Sequence, residues 1–199
     1  ASQVHTRAAQ QKDDSVYSTI TATFTGDVVR NNVNIEADGS FCKSNFYGLV
    51  VGKGDMHVDN HTFMGHVQPD CTSNELYKHV LNDESTAVFN GKVFVSRGSQ
   101  RIDAYQQNDT IVLTKGAQIY TKPELEIYAD DVVCSHGATT GQMDEEGIFY
   151  LRSRGLSERR ARILMLQAFA QEVLDEIQLE PLEAYVAERV RTRFSSYFS

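Results

Sequence analysis

A short strand-and-turn unit recurs through the first two thirds of the chain. An apolar residue precedes a glycine-containing polar turn in four segments, two pairs of which lie about 25 residues apart: Phe24-Thr-Gly-Asp-Val, Val50-Val-Gly-Lys-Gly, Phe89-Asn-Gly-Lys-Val and Leu113-Thr-Lys-Gly-Ala. Alternation of β-branched and small residues, as in Thr19-Ile-Thr-Ala-Thr-Phe-Thr, predicts many short strands from Ser15 to about Gly141. The repeat favours a β-solenoid, but regular short strands are also typical of an antiparallel sandwich. The pattern alone leaves both folds open.

The spacing of the apolar residues changes after Gly141 from that of strands to that of helices. Acidic residues in an opening turn predict a first helix from Asp144 to about Arg154. Gly155 is well placed to end it, because glycine readily adopts the left-handed conformation that terminates helices.

Two further helices are indicated beyond that glycine. Ser157 is typical of an N-cap, and apolar residues follow it at helical spacing as far as Ile177. Pro181 favours the start of a third helix, which runs to about Phe194. The chain is therefore predicted to consist of a polar N-terminal tail, a strand-rich core and a helical domain, at residues 1–13, 14–142 and 143–199.

The charges of the second predicted helix oppose its dipole. Basic residues crowd its first turn and acidic residues its last: Arg159, Arg160 and Arg162, then Glu172, Asp175 and Glu176. Each misplaced charge costs about 0.3–1 kcal/mol at low salt. Two interpretations follow, a solvated face with intramolecular pairing or an interface with another subunit.

Composition excludes several classes of function. The net charge is −8, whereas a nucleic-acid binder normally concentrates Lys and Arg. No apolar run approaches the roughly 20 residues that a membrane-spanning helix needs. Cys42, Cys71 and Cys134 lie far apart, which predicts free thiols in a reducing compartment. The chain lacks the phosphate-binding motif Gly-x-x-x-x-Gly-Lys-Ser/Thr, so any ATP hydrolysis is expected from a partner.

Cys134 and His136 form the sharpest candidate site. Residues two apart project from the same face of a strand, so the two side chains would lie together if this segment is extended. Thiolate and imidazole are good ligands for iron, zinc and iron–sulfur clusters. Two ligands are too few for a closed site, which usually needs four, so another chain would have to supply the rest. Packing of Cys134 as a small apolar group remains an alternative.

A second group of potential ligands lies in the middle of the chain and comprises His57, His61, His66 and Cys71. Its spacing is compatible with a metal site, but solenoid turns also place polar residues at such intervals. Asp130 and Asp131 are adjacent, so on a strand they would point to opposite faces and could not flank a glycosidic bond.

Five long segments stand out across most of residues 55–177: His66-Val-Gln-Pro-Asp-Cys-Thr-Ser-Asn-Glu-Leu-Tyr-Lys, Phe89-Asn-Gly-Lys-Val, Lys122-Pro-Glu-Leu-Glu-Ile-Tyr-Ala-Asp-Asp-Val, Cys134-Ser-His-Gly-Ala-Thr-Thr-Gly and Asp144-Glu-Glu-Gly-Ile-Phe-Tyr-Leu-Arg-Ser-Arg-Gly. Together they resemble the SufB/SufD family of iron–sulfur cluster assembly proteins. Within that family, Cys134-Ser135-His136 is closest to the SufD branch, since SufB members carry acidic residues around their histidine.

The resemblance implies a right-handed parallel β-helix core followed by a small helical domain. It also implies a scaffold subunit without enzymatic activity, which pairs with a SufB-like subunit and docks a SufC-like ATPase. His136 would then lie at the SufB interface and take part in building a nascent cluster, and Cys134 is a second candidate ligand there. The charged residues of the second helix would belong to the ATPase-docking region.

Further expectations follow from the same family. No cofactor is expected to bind stably to this chain alone, although a transient iron–sulfur cluster is expected in the assembled complex. The implied location is the bacterial cytoplasm or the plastid stroma. The chain begins inside what looks like a longer family member, and residues 1–13 look too polar and too short to cap a solenoid end, so we expect its N-terminal turn to self-associate into a dimer or a larger species. Two alternative functions remain: a carbohydrate-active enzyme with a β-solenoid fold, and a purely structural interaction module.

Overall fold

The computed structural model describes residues 1–198 as ten strands followed by three helices. The strands are β1 (Ser2–Gln11), β2 (Val16–Thr23), β3 (Val28–Ala37), β4 (Lys43–Gly52), β5 (His57–His66), β6 (Thr72–Leu81), β7 (Thr86–Val95), β8 (Ile102–Val112), β9 (Gln118–Ile127) and β10 (Val132–Gly141). The helices are α1 (Glu145–Ser153), α2 (Glu158–Leu174) and α3 (Glu180–Ser195).

Successive strands alternate between two five-stranded sheets, so the chain winds as a β-solenoid of about five turns. One sheet has the order β1-β3-β5-β7-β9 and the other β10-β8-β6-β4-β2. All eight strand pairs are parallel. The register of the first sheet pairs Ser2 with Val28, Val28 with His57, His57 with Thr86 and Thr86 with Gln118. The solenoid prediction is confirmed, and parallel pairing rules out the antiparallel sandwich.

The prediction of a polar N-terminal tail at residues 1–13 is wrong. Ser2–Gln11 forms strand β1, which pairs with β3 along its whole length. The strand carries polar side chains because most of it is exposed at the end of the sheet, so apolar alternation is not required there. Where Gln11 does turn inward, its amide is satisfied by the Ser44 hydroxyl and the Lys43 carbonyl.

One corner of the solenoid is built from residues in the left-handed conformation. Asp14, Phe41, Asp70 and Arg101 have φ between 57° and 64°, and each precedes a strand of the second sheet by one or two residues. Aspartate tolerates this conformation better than most residues, whereas phenylalanine and arginine seldom adopt it. The left-handed corner is therefore present in four of the five turns, before β2, β4, β6 and β8, without a recurring sequence signal.

The three helices cover the outer face of the second sheet. Tyr47, Leu49 and Val51 of β4 are buried in one apolar cluster with Leu166 and Val173 of α2. On β6, the buried ammonium of Lys78 lies 2.7 Å from the Glu172 carboxylate and 4.4 Å from the centre of the Phe169 ring. Strands and helices thus share a core, and their division into separate domains stays a prediction.

Helix ends follow the local sequence closely. The Asp144 carboxylate accepts a hydrogen bond from the Glu146 amide, and the Ser157 hydroxyl accepts one from the Arg160 amide. Gly155 separates α1 from α2 with φ of 92°. Within residues 1–198 the structure contains no helix that is both long enough and apolar enough to cross a membrane.

Candidate functional site

The last turn of the solenoid is open on one side. Among residues 1–198, β9 pairs only with β7 and β10 only with β8, so each leaves one edge without a partner strand. An uncovered edge presents free backbone N–H and C=O groups to any further strand. The end of the solenoid is therefore a ready surface for pairing.

Cys134 and His136 lie on this last turn, on strand β10. The register places Cys134 beside Ala104 and His136 beside Gln106 of β8. Ala104 and Gln106 are fully buried between the sheets, so the two β10 side chains share the interior-facing side of their strand. The prediction that this segment is extended and that both residues project together is confirmed. Their role in cluster assembly stays a prediction.

The two candidate ligands differ in their surroundings. Cys134 is half-buried against an apolar cluster that includes Leu125 and Val132. Burial raises the pKa of its thiol, and nearby Asp103 adds to the shift, while a backbone hydrogen bond at Ala104 opposes it. The thiol is thus held protonated, and a metal would have to displace the proton. His136 is exposed, and its ring makes no hydrogen bond or ion pair within residues 1–198.

Apolar and aromatic side chains surround this open end. Tyr120 and Ile127 on β9, Tyr128 just beyond it and Val133 on β10 are exposed, with Val133 71% and Tyr120 59% accessible. Soluble proteins seldom leave such side chains clustered beside unpaired strand edges. This open end of the solenoid therefore suits a partner chain that also contributes a β-strand.

Behind His136 the interior of the solenoid is polar. Gln106 donates a hydrogen bond from Nε2 to Oε2 of Glu75 at 2.6 Å, and both side chains are buried. Burial raises the pKa of the Glu75 carboxyl to about 7, although hydrogen bonds from Thr62 and Gln106 oppose the shift. Neither residue was singled out from the sequence. The available signal was the position of Gln106, which lies about one solenoid turn from Glu75 on one side and from His136 on the other.

The second group of potential ligands does not converge. His61 lies 2.8 Å from Asp59 on the outer face of β5, whereas His66 is buried inside and bonded to the Ser73 hydroxyl at 3.0 Å. The buried Cys71 thiol donates to the Gly39 carbonyl at 3.2 Å. Throughout residues 1–198, no three His, Cys, Asp or Glu side chains are placed to hold one metal ion.

Most of the unfavourable charges of α2 have partners within the chain. Arg162 contacts Glu145 at 3.1 Å and Glu158 at 3.2 Å. Arg159 donates to the carbonyls of Ser195 and Phe198. At the other end of the helix, Glu172 pairs with Lys78, Asp175 accepts from Gln171, and Glu176 interacts with the Tyr47 hydroxyl.

Arg160 is the exception among these charges. Its guanidinium is exposed and makes no ion pair or hydrogen bond within the part of the chain that the structure describes. Pairing inside the molecule therefore explains most of the pattern, and a docking role for these residues stays a prediction.

The helices also expose apolar side chains that the sequence analysis did not single out. Phe149 and Tyr150 of α1 are 73% and 57% accessible, and Leu182 and Tyr185 of α3 are similarly uncovered. On α1 only Ile148 is buried, so the two aromatic residues that follow it face away from the core. They give the helical end of the molecule a second apolar surface.

Comparison with known proteins places this geometry in context. A family profile described as the SufBD core domain of the SUF system for FeS cluster assembly matches residues 1–169. An iron–sulfur cluster assembly SufBD family protein of Synechocystis is 37% identical over 190 residues, which cover 96% of this chain and 42% of the relative.

Two further relatives come from a bacterium and a plant. The iron–sulfur cluster assembly protein SufD of Escherichia coli is 37% identical over 168 residues, covering 84% of this chain and 40% of the relative. The protein ABCI7, chloroplastic, of Arabidopsis thaliana is 29% identical over 170 residues, covering 84% of this chain and 35% of the relative. The chain thus spans about two fifths of the length of the curated relatives it matches.

Proposed function

Because this chain belongs to the SufBD core-domain family of the SUF iron–sulfur cluster assembly system, we propose that it is part of an assembly scaffold that pairs with a SufB-like chain. The observation that carries the proposal is the placement of His136 and Cys134 on β10, an edge strand that pairs with β8 and leaves its other edge free among residues 1–198, at the open end of the solenoid. A partner strand that completes either sheet would bring its own side chains next to these two.

The nascent cluster is cargo of this assembly, held between two chains. Cys134 and His136 supply at most two ligands, and iron in clusters normally takes four. The remaining ligands would come from sulfide and from the facing chain. The exposed ring of His136 is free to bind a metal, whereas Cys134 must first lose a proton that its burial helps to retain. His136 is accordingly proposed as the principal ligand of this chain.

An ATPase of the SufC type is proposed to dock on the helical end. Support comes from the exposed Phe149 and Tyr150 and from the unpaired Arg160, which together offer apolar contact and positive charge. The contact of Glu172 with Lys78 links α2 to strand β6. Movement of the helices would therefore act on the second sheet, whose last strand carries His136.

The proposed location is the bacterial cytoplasm or the plastid stroma. Similar proteins include SufD of Escherichia coli and a protein of Arabidopsis whose name places it in the chloroplast. Three free cysteines agree with a reducing compartment.

The test compares His136→Ala with Ser135→Ala in the full-length protein, co-expressed with SufB-like and SufC-like partners and purified without oxygen. Ser135 is the exposed neighbour on the opposite face of β10, so it controls for disturbance of the edge strand. We expect both variants to co-purify with the partners and only His136→Ala to lose iron, sulfide and cluster absorbance. A His136→Ala complex that falls apart would indicate a structural histidine, and one with a full cluster would refute the proposed ligand.

A further inference from the structure

Three interior residues of the second sheet occupy the same position in successive turns. The register pairs Glu75 of β6 with Gln106 of β8, and Gln106 with His136 of β10. Neighbouring strands lie about 4.8 Å apart, so each side chain is stacked on the next. A buried carboxyl and a buried amide therefore lie in line directly behind the candidate ligand.

The hydrogen bond between the first two residues sets the orientation of the Gln106 amide. Nε2 of Gln106 donates to Oε2 of Glu75 at 2.6 Å, which turns the nitrogen towards Glu75. Gln106 is fully buried, and its Oε1 has no hydrogen-bond partner among residues 1–198. A buried amide oxygen gains from a donor, so Gln106 Oε1 is available to accept one further hydrogen bond.

In the opposite sheet, the absence of a side chain at Gly91 leaves space for the Gln106 amide. A Cβ atom on Gly91 of β7 would lie 2.5 Å from Nε2 of Gln106 and 2.7 Å from Cζ of Phe89. Such distances are shorter than real contacts, so only glycine lets the Gln106 amide reach into the interior here. The amide is thus held by its neighbours as well as by Glu75.

We propose that Gln106 and Glu75 are positioning residues for His136, and that Gln106 Oε1 accepts a hydrogen bond from one ring nitrogen of His136 once a partner chain covers the open end. The other ring nitrogen is then deprotonated and points outward to the metal. Histidine ligands commonly donate their second nitrogen to such an acceptor, which selects the tautomer and the ring orientation. This inference rests on the proposed function, because it assumes that His136 faces a metal.

The acceptor-only character of a carboxylate explains why Glu75 belongs to the arrangement. When Glu75 is ionised, at alkaline pH, it can take only the nitrogen end of the Gln106 amide, whereas an amide at position 75 could bond to either end, so the comparison is made at pH 8.5. Glu75→Gln would therefore remove the orientation while preserving size, and Gln106→Met would remove the acceptor itself with a side chain of similar shape.

The matched control is Asn108→Leu. Asn108 lies on the same strand and the same interior face as Gln106, is equally buried, and bonds to the Tyr77 carbonyl and to His79. Its register partner on β10 is Ala138, so it has no counterpart in the candidate site. If the loss of any buried polar side chain were enough to change the His136 tautomer, Asn108→Leu would change it at least as much as Gln106→Met.

The experiment is nitrogen-15 NMR of histidine-labelled full-length protein bound to a SufB-like partner, with the His136 ring signal identified by its loss in His136→Gln. We expect one tautomer in the wild type and in Asn108→Leu, and a mixture of tautomers in Gln106→Met and Glu75→Gln. Iron bound per complex should fall about tenfold or more in Gln106→Met, as is usual when the support of a metal ligand is removed.

The outcomes separate this inference from the proposed function. An unchanged His136 tautomer in both Gln106→Met and Glu75→Gln overturns the positioning role, whatever happens to the cluster. If His136→Ala keeps a full cluster, the proposed ligand is wrong, and a tautomer shift in Gln106→Met still establishes the hydrogen bond. Should Gln106→Met fail to fold, Glu75→Gln alone decides the question.

Discussion

At the scale of single residues, Cys134 and His136 share a strand face but not an environment. Cys134 is half-buried beside an apolar cluster with a raised thiol pKa, and His136 is exposed. We expect Cys134→Ser to preserve association with the partner chain, because the serine hydroxyl occupies a space similar to that of the thiol. It should reduce cluster content by less than His136→Ala, because His136 is the proposed principal ligand. Iron and sulfide analysis of the purified complexes measures this. Equal losses in the two variants would make Cys134 a ligand of equal importance.

Glu75 should make the stability of the protein depend on pH. Its pKa is about 7 in the folded chain against 4.5 in the unfolded chain, so the folded state binds the extra proton between these values. Stability is then full below pH 4.5 and is lost as pH rises through 7. The shift corresponds to about 3 kcal/mol at alkaline pH, since one pKa unit is about 1.4 kcal/mol.

Glu75→Gln removes this titration and should therefore stabilise the protein above pH 7 while leaving acid stability nearly unchanged. Urea unfolding of both proteins at pH 5 and pH 8.5 provides the comparison. A matched control is Glu84→Gln on an exposed turn, for which we expect no pH-dependent difference. Equal stabilities of Glu75→Gln and wild type at pH 8.5 would show that the interior solvates the charge.

At the scale of elements, the basic residues in the first turns of α2 differ in whether they stabilise the chain. Arg162 is paired with Glu145 and Glu158, whereas the guanidinium of Arg160 has no ion pair or hydrogen bond within residues 1–198. Arg160 also lies at the third position of the helix, where its amide bonds to the Ser157 hydroxyl. Glutamate at this position would complete a capping box with Ser157 and match the helix dipole.

We therefore expect Arg160→Glu to raise stability by about 0.3–1 kcal/mol and yet to weaken binding of a SufC-like ATPase if the helix face is its docking site. Arg162→Glu is the control that should destabilise the chain, because it replaces two ion pairs by repulsion. Thermal unfolding and calorimetric titration with the ATPase report the two effects. Unchanged ATPase affinity in Arg160→Glu would remove this residue from the docking surface.

At the scale of the whole molecule, the outer faces of the two sheets differ in polarity, so only one of them must be covered. The outer face of the second sheet carries Tyr47, Leu49, Val51 and Val80, which α2 and α3 cover. The outer face of the first sheet carries polar and charged side chains such as Arg30 and Asp59, which form an ion pair in contact with solvent. Only the second sheet therefore needs the helices.

Removal of residues 144–199 should expose this apolar face and abolish cooperative folding of the strands. We expect the truncated chain to aggregate, with a broad thermal transition by circular dichroism, because buried Leu and Val side chains each contribute about 1.5–3 kcal/mol. A variant truncated only after Phe198, beyond α3, controls for a change of the C-terminus and keeps the contact of Phe198 with Arg159. A sharp unfolding transition at the wild-type temperature in the chain that lacks residues 144–199 would show that strands and helices are independent domains.

Local signals in the sequence predicted several features correctly. The N-cap at Ser157, the start of a helix near Asp144, its end before Gly155 and the shared face of Cys134 and His136 all depend on residues close together in the chain. Helix caps and strand alternation are properties of a few neighbouring residues, so they can be recognised without knowing the rest of the fold. The strand-and-turn repeat by contrast left a solenoid and an antiparallel sandwich both open, and only the family resemblance favoured the solenoid.

Only the tertiary structure decided which strands pair and what lies behind the candidate site. Polar residues such as Asn60, Glu75 and Gln106 face the interior, so the alternation that marks a half-buried strand is weak in β5, β6 and β8. Strand β1 was missed because end-of-sheet positions accept polar residues. The stacking of Glu75, Gln106 and His136 depends on a register between residues about 30 positions apart, which the corners and the interior packing set together.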